Sequence, residues 1–238
     1  MTVFQSIFDI IGPIMVGPSS SHTAGAVRMG LAARSIFGQQ PDRVVITLYG
    51  SFGHTYKGHG TDLALIAGLL GYSTHSEEIR QARQLAREAG MEVDIQVSSE
   101  MTEHPNTAQL CLFKDQRQLC ITGISTGGGM IDLTEIDGFN VHVSCEEPVI
   151  LVFHRDRPGL IAQVSKILAL EDVNISQMEV SRKGKGERAL MLMATDARIP
   201  DRALAAIEDI QDVSRIIFLS ALTREPDSEN PSCQGVEG

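Results

Sequence analysis

The sequence predicts an α+β fold in two parts. The helices of the first part come early and its antiparallel strands late. Three observations lead there. Apolar, glycine-stopped helical text occupies residues 20–38 and 63–71. Five runs of strand composition then follow in series between residues 91 and 145. From Pro148 the order becomes strand, helix, strand, strand, helix, strand over about 70 residues, the split βαβ or ferredoxin-like arrangement.

The elements follow in order. Residues 3–11 read as a short apolar helix or turn. Residues 20–38 read as a helix ended by Gly38, small and apolar on nearly every side, so it is expected to pack on more than one face. Asp42–Phe52 has the β-branched and aromatic content of a strand. A stretch from Ser51 to Asp62, with His54, His59 and Lys57 among glycines, reads as a loop before the helix LALIAGLLG, with Thr61 or Asp62 as its cap. Ser76–Ala89 reads as a surface helix: Ile79, Ala82, Leu85 or Ala86, and Ala89 share a face, Ser76 can cap it and Gly90 ends it. The runs MEVDIQVS, TAQLCLFK, QLCITGISTGG, MIDLTEI and FNVHVSC read as strands, with Asp115-Gln116 and Asp137-Gly138 as hairpin turns. In the second part, Leu160, Val164, Ile167 and Leu168, then Ala203, Ile207 and Ile210, are the expected buried helix faces. Residues 221–238 are polar and acidic and read as a flexible tail containing Cys233.

Composition excludes several classes. The chain has 238 residues, 42% of them hydrophobic, enough for a sizeable core. Its formal charge of −10 argues against nucleic acid as a partner. No apolar run reaches the roughly 20 residues that span a bilayer. The N-terminus lacks a basic secretory segment, so a cytoplasmic location and four free thiols are the expectation. Cys111, Cys120, Cys145 and Cys233 show no C-x-x-C spacing, so they make a poor cluster or zinc set on their own.

Three stretches concentrate chemistry. Gly17-Pro18-Ser19-Ser20-Ser21-His22-Thr23-Ala24-Gly25 places hydroxyls and an imidazole at a helix start, where backbone N–H groups and the helix dipole favour a carboxylate or phosphate. An elaborate N-cap is the competing reading. Ser21 beside His22 suggests nucleophilic catalysis, but neighbours at a helix start are not expected to face each other, and no G-x-S-x-G elbow occurs. His59, between glycines, and His104, in the turn His104-Pro105-Asn106, are placed for proton transfer. Lys57 either holds a substrate carboxylate or is a solvated cation. His54 and His59 with Asp62 do not make a convincing metal set in a loop. Ser125–Gly129 forms a further hydroxyl-lined turn. Arg28 could reach back to the serine loop only by folding its stem. In the second half, Arg155–Gly159 leads into a helix and Asn174-Ile175 opens the next strand. A βαββαβ unit often binds a small effector there, at an interface with another copy; a packing module without a ligand is the alternative.

In order, the motifs FDIIGPIMVGPSSSHTAGAVR, YGSFGHTYKGHGTD, HPNTA and GISTGGG strongly resemble the beta chain of the iron–sulfur-dependent L-serine dehydratases. The stretch ILVFHRDRPGLIAQVSKILALEDVNISQMEVSR resembles an ACT domain. The resemblance covers about residues 3–220. It implies conversion of L-serine to pyruvate and ammonia, with a [4Fe–4S] cluster acting as Lewis acid while a base removes the α-proton. It implies that the cluster cysteines lie on a catalytic alpha subunit. It makes His59 and His104 the candidates for the shared site, without saying which is the base. It makes Ser19, Ser20, Ser21, His22 and Thr23, with Lys57, the candidates for binding L-serine. An amino-acid effector would meet Asp156, Pro158, Gly159, Leu160, Asn174 and Ile175. The first domain also resembles the allosteric substrate-binding domain of some phosphoglycerate dehydrogenases, which implies an alternative: a non-catalytic, amino-acid-sensing subunit that controls a partner enzyme. The expected division is residues 1–146, 147–220 and a tail, 221–238.

Overall fold

A computed structural model describes residues 17–222. The expected helix at 3–11, Cys233 and all of the tail beyond residue 222 lie outside the described residues. The described elements are α1 (Ala26–Phe37), β1 (Arg43–Leu48), α2 (Gly50–His59), α3 (Thr61–Leu70), α4 (Ala82–Glu88), β2 (Glu92–Val97), β3 (Thr107–Lys114), β4 (Arg117–Gly127), β5 (Met130–Ile136), β6 (Phe139–Val143), β7 (Val149–Arg155), α5 (Leu160–Leu170), β8 (Ile175–Arg182), β9 (Arg188–Thr195), α6 (Asp201–Glu208) and β10 (Val213–Leu219). A π-helical turn, Ser20–Gly25, precedes α1, and a 3₁₀ turn, Glu77–Gln81, precedes α4.

The first sheet has the order β2-β1-β3-β4-β5-β6. β1 and β2 are parallel, so the chain between them must cross over, and α2 to α4 form that connection. The remaining pairs are antiparallel hairpins. Asp115 and Asp137 turn two of them at positive φ, which aspartate tolerates. The second sheet has the order β10-β7-β9-β8 and is antiparallel throughout, as the split βαβ pattern predicts. Leu160, Val164 and Leu168 of α5 and Ala203 and Ile207 of α6 are buried, while Ile167 and Ile210 are partly so.

Strand alternation divides the second sheet between two cores. Ile150, Val152, Met191 and Met193 face α5 and α6. Leu151, Phe153, Leu190, Leu192 and Ile217 face the first domain and join its core. Polar contacts bind the same junction: Arg215 donates to the Ile36 carbonyl at 2.6 Å, and Arg188 pairs with Asp137 at 2.8 Å. The C-terminal end of α1 is thereby tied to β10.

Helices α1 and α3 touch backbone to backbone. A Cβ on Gly30 would lie 2.4 Å from the Leu65 carbonyl oxygen, and one on Gly68 would lie 2.1 Å from that of Val27. The smallness of both helices serves this approach.

The structure corrects several expectations. Residues 50–59 are helix, not loop. Pro105 O accepts from the N–H groups of Ser51 (2.7 Å) and Phe52 (3.4 Å), and Thr55 bonds back to Ser51 O, so tertiary contacts override the low helix propensity of the glycines. Gly60 (φ 67°) ends α2 and begins α3, so neither Thr61 nor Asp62 caps it. Ser76 makes no side-chain cap; its hydroxyl accepts from Ser73 N–H. Cys111 and Cys120 are not free thiols: they oppose each other across β3 and β4, with Cα atoms 4.1 Å apart, and form a disulfide. Cys145 is free and buried.

Candidate functional site

The serine-rich stretch does not run straight into an α-helix. It winds one wide π turn first, and that turn brings neighbouring side chains together. Ser19, in extended conformation, accepts the His22 N–H at 3.2 Å as an N-cap. Ser21 Oγ lies 3.1 Å from His22 Nδ1, so the expectation that these neighbours would not face each other fails. Ser19 Oγ lies 3.3 Å from Ser21 Oγ and 3.4 Å from the same ring nitrogen.

His22 is buried. Its Nε2 lies 3.2 Å from Ser51 Oγ, on the first turn of α2. Its ring stands edge-on to His59, centroids 4.7 Å apart, and to Phe52 at 5.1 Å. Thr23 Oγ1 donates to the His59 carbonyl at 3.4 Å. Ser19, Ser21, His22, Thr23 and His59 therefore form one cluster, with Ser51 as a member to which sequence reasoning assigned no role. Ser51 stood inside a recognised motif; its role depends on α2 being helical. Nδ1 of His59 and Oγ1 of Thr61 are buried without a partner.

The His104 turn joins this cluster through its backbone. Pro105 O caps α2, Asn106 Nδ2 donates to Ser125 O at 3.3 Å, and Ser125 N–H donates to Asn106 O at 3.0 Å. Buried Ser125 packs against Gly25, where a Cβ would come within 2.2 Å of its hydroxyl. All four motifs thus meet at one end of the first domain. His104 Nδ1 accepts from Asn106 N–H at 3.1 Å, so the neutral ring carries its proton on Nε2. Arg28 does not reach the serine loop; it donates to Gly129 O at 2.8 Å. Lys57 is exposed, its ammonium 5.7 Å from the Tyr56 ring centroid, and takes no part in the cluster's hydrogen bonds. Ser20 is half-buried and likewise takes no part in them. Buried Asp62 is held by Arg83 at 2.7 Å.

Burial, then the charge of neighbouring His59, hold His22 below its ordinary value of 6.5. The unfolded chain therefore takes up a proton that the folded ring resists. Stability falls as pH drops below about 6.5, and the group adds no slope above it. Urea unfolding at about pH 7.5 and about pH 5.5 should show this loss, and His22→Asn should make it smaller.

The described cysteines do not fit a cluster. Two are joined to each other, and burial followed by the charge of Asp132 pushes the Cys145 thiol up to about 12. No group of three or more His, Cys, Asp or Glu side chains among the described residues is arranged to hold a metal ion. No described helix is long and apolar enough to cross a membrane.

In the second domain, Gly159 (φ 86°) is the N-cap of α5 and Leu160 is fully buried beneath it. Pro158 lies in the preceding turn, not within the helix. Asp156 accepts from Arg182 at 3.1 Å and from Gly186 N–H at 3.1 Å, and these bonds hold its carboxyl below the ordinary range. Asn174 donates to Asp196 at 2.7 Å, beside partly buried Ile175. Both polar groups of this expected effector site are engaged within the domain.

Residues 6–135 match the serine dehydratase beta chain family and residues 148–212 match the ACT domain. The chain is 46% identical to the probable L-serine dehydratase beta chain of Bacillus subtilis, over 90% of this chain and 97% of that one. It is 32% identical to the L-serine dehydratase beta chain of Peptoniphilus asaccharolyticus, over 87% and 94% respectively. A D-3-phosphoglycerate dehydrogenase of Synechocystis is 25% identical over 79% of this chain but only 34% of its own length. With four motifs folded onto one end of the first domain and a βαββαβ unit behind it, the chain belongs to the serine dehydratase beta chain family and carries an ACT domain.

Proposed function

We propose that the chain is the beta subunit of an L-serine dehydratase, working with a catalytic alpha subunit to release pyruvate and ammonia from L-serine in the cytoplasm. The observation that carries this reading is the convergence of His22, His59 and the His104 turn on the serine loop. The alpha subunit supplies the [4Fe–4S] cluster, whose ligands the described cysteines of this chain do not fit. Ser19, Ser20, Ser21, His22 and Thr23 position the substrate carboxylate. Lys57, exposed on α2, screens that charge from outside. His59, neither of whose ring nitrogens is held by a hydrogen bond among the described residues, is free to act as the base at the α-carbon. His104, with Nδ1 occupied, presents an Nε2–H donor. The domains divide at 146/147, and residues 156–160 and 174–175 receive an amino-acid effector once another copy or the partner rearranges the bonds of Asp156 and Asn174.

The second reading, a sensing subunit without catalytic residues, rests on the likeness to phosphoglycerate dehydrogenase. The two separate in holoenzyme assembled anaerobically with the alpha chain. His104→Ala should lower kcat for L-serine while the effector response stays unchanged. Full kcat with an altered effector response would favour the sensing subunit.

A further inference from the structure

Ser51 has no internal duty that requires its hydroxyl. Its N–H donates to Pro105 O and its carbonyl accepts from Thr55. Its Oγ contacts His22 Nε2 at 3.2 Å, and no other hydrogen bond of that hydroxyl occurs among the described residues. His22 is flanked by hydroxyls at both nitrogens, so two proton arrangements satisfy the same heavy-atom positions.

In the first arrangement, Ser51 donates to Nε2. The ring proton then sits on Nδ1 and is donated to Ser21, and Ser21 donates to Ser19. Ser19 already accepts the His22 backbone N–H, so its own hydroxyl proton is left without an internal acceptor and can be given to a ligand. In the second, Nε2–H donates to Ser51, Ser21 donates to the single lone pair of Nδ1, and Ser19 has an internal acceptor in Ser21 Oγ. Nothing then obliges the Ser19 proton to face outward toward an anion. Burial, then the charge of His59, disfavour the protonated ring, so the two neutral arrangements are the ones that compete. Only the first leaves a loop hydroxyl proton with no internal acceptor, and so turns it toward a carboxylate beside Ser19.

We propose that Ser51 is a positioning residue for substrate binding: by donating to His22 Nε2 it fixes the proton on Nδ1 and turns the Ser19 hydroxyl toward the substrate carboxylate. The assignment rests on the reading of the Ser19–Thr23 loop as the carboxylate site. Ser51 acts through His22 and need not touch L-serine.

The full chain labelled with ¹⁵N-histidine gives the tautomer directly. His22 should carry its proton on Nδ1 in the unaltered chain and on Nε2 in Ser51→Ala, and Ser51→Thr should restore the first state. In holoenzyme assembled with the alpha chain, Ser51→Ala should raise KM for L-serine by about tenfold or more, as loss of a charge-assisted hydrogen bond does, with kcat changed less than about threefold. Ser51→Thr should recover most of the KM. An Nε2–H tautomer in the unaltered chain, or an unchanged tautomer in Ser51→Ala, would overturn the proposal while leaving the shared site intact. A switched tautomer with unchanged KM would overturn it too, and would remove the carboxylate role of the loop with it.

Discussion

His59→Ala should lower kcat for L-serine by about 10²–10⁴-fold in the assembled enzyme, the range set by loss of a general base. That is roughly 3–5 kcal/mol of barrier. His59 closes α2 just before the left-handed Gly60, so the turn fixes where its ring points. The ring abuts His22 edge-on, and its Nδ1 is buried without a hydrogen bond. A buried nitrogen in that state has exchanged water for nothing. This arrangement suits a group that works when substrate arrives better than one that braces the fold. The thermal midpoint of the variant should therefore change little, and KM less than kcat. Steady-state pyruvate formation, with melting of the same samples, checks both. A kcat within threefold of the unaltered enzyme would remove His59 from the chemistry.

Gly68→Ala should destabilise the first domain by about 3 kcal/mol, near the upper end for overpacking. The added methyl would sit 2.1 Å from Val27 O, 2.8 Å from Leu31 N and 2.9 Å from Gly30 Cα, all of them backbone. Backbone does not rotate away, so the helices must separate. For a chain of this size such a loss lowers the melting midpoint by roughly 6–12 °C. The effect should also reach the site. α1 continues the serine turn and α3 continues from His59 through Gly60, so separating them pulls the two walls of the cluster apart. Gly58→Ala is the control: a Cβ there meets nothing within 4 Å, and replacing this glycine in the last turn of α2 should be neutral or stabilising by up to about 1 kcal/mol. Calorimetry of the two variants measures the difference.

The strands were legible because each is a short run of alternating or β-branched residues between turn residues. TAQLCLFK and MIDLTEI form over the residues the pattern marks. The second domain was legible for a further reason: its two helix faces and four strands follow one another at spacings that leave few topologies open. Residues 50–59 were not legible. Their glycines argue for a loop, and the partner that makes them helical, Pro105 O, lies more than fifty residues away in sequence. The facing of Ser21 and His22 was hidden similarly, since a π turn leaves no periodic mark in six residues. The disulfide depends on register, which places Cys111 opposite Cys120 only after the hairpin at Asp115 is known. Within the candidate site, the residues that carry chemistry stood out by type. The members that orient them were harder to read: Ser51 has no assigned role in the sequence and Ser125 only a place in a hydroxyl-lined turn, because their roles arise from contacts between motifs.

Reconstitution from separately purified chains tests the shared site most directly. Under anaerobic conditions this chain alone should be colourless and inactive, the alpha chain alone should carry the colour and turn over L-serine poorly, and mixing should produce pyruvate at a rate that saturates with this chain. Adding the His59→Ala chain should compete for the alpha subunit and depress that rate. An alpha chain that reaches full kcat without this chain, or a His59→Ala chain that restores full activity on mixing, would contradict a site built from both subunits.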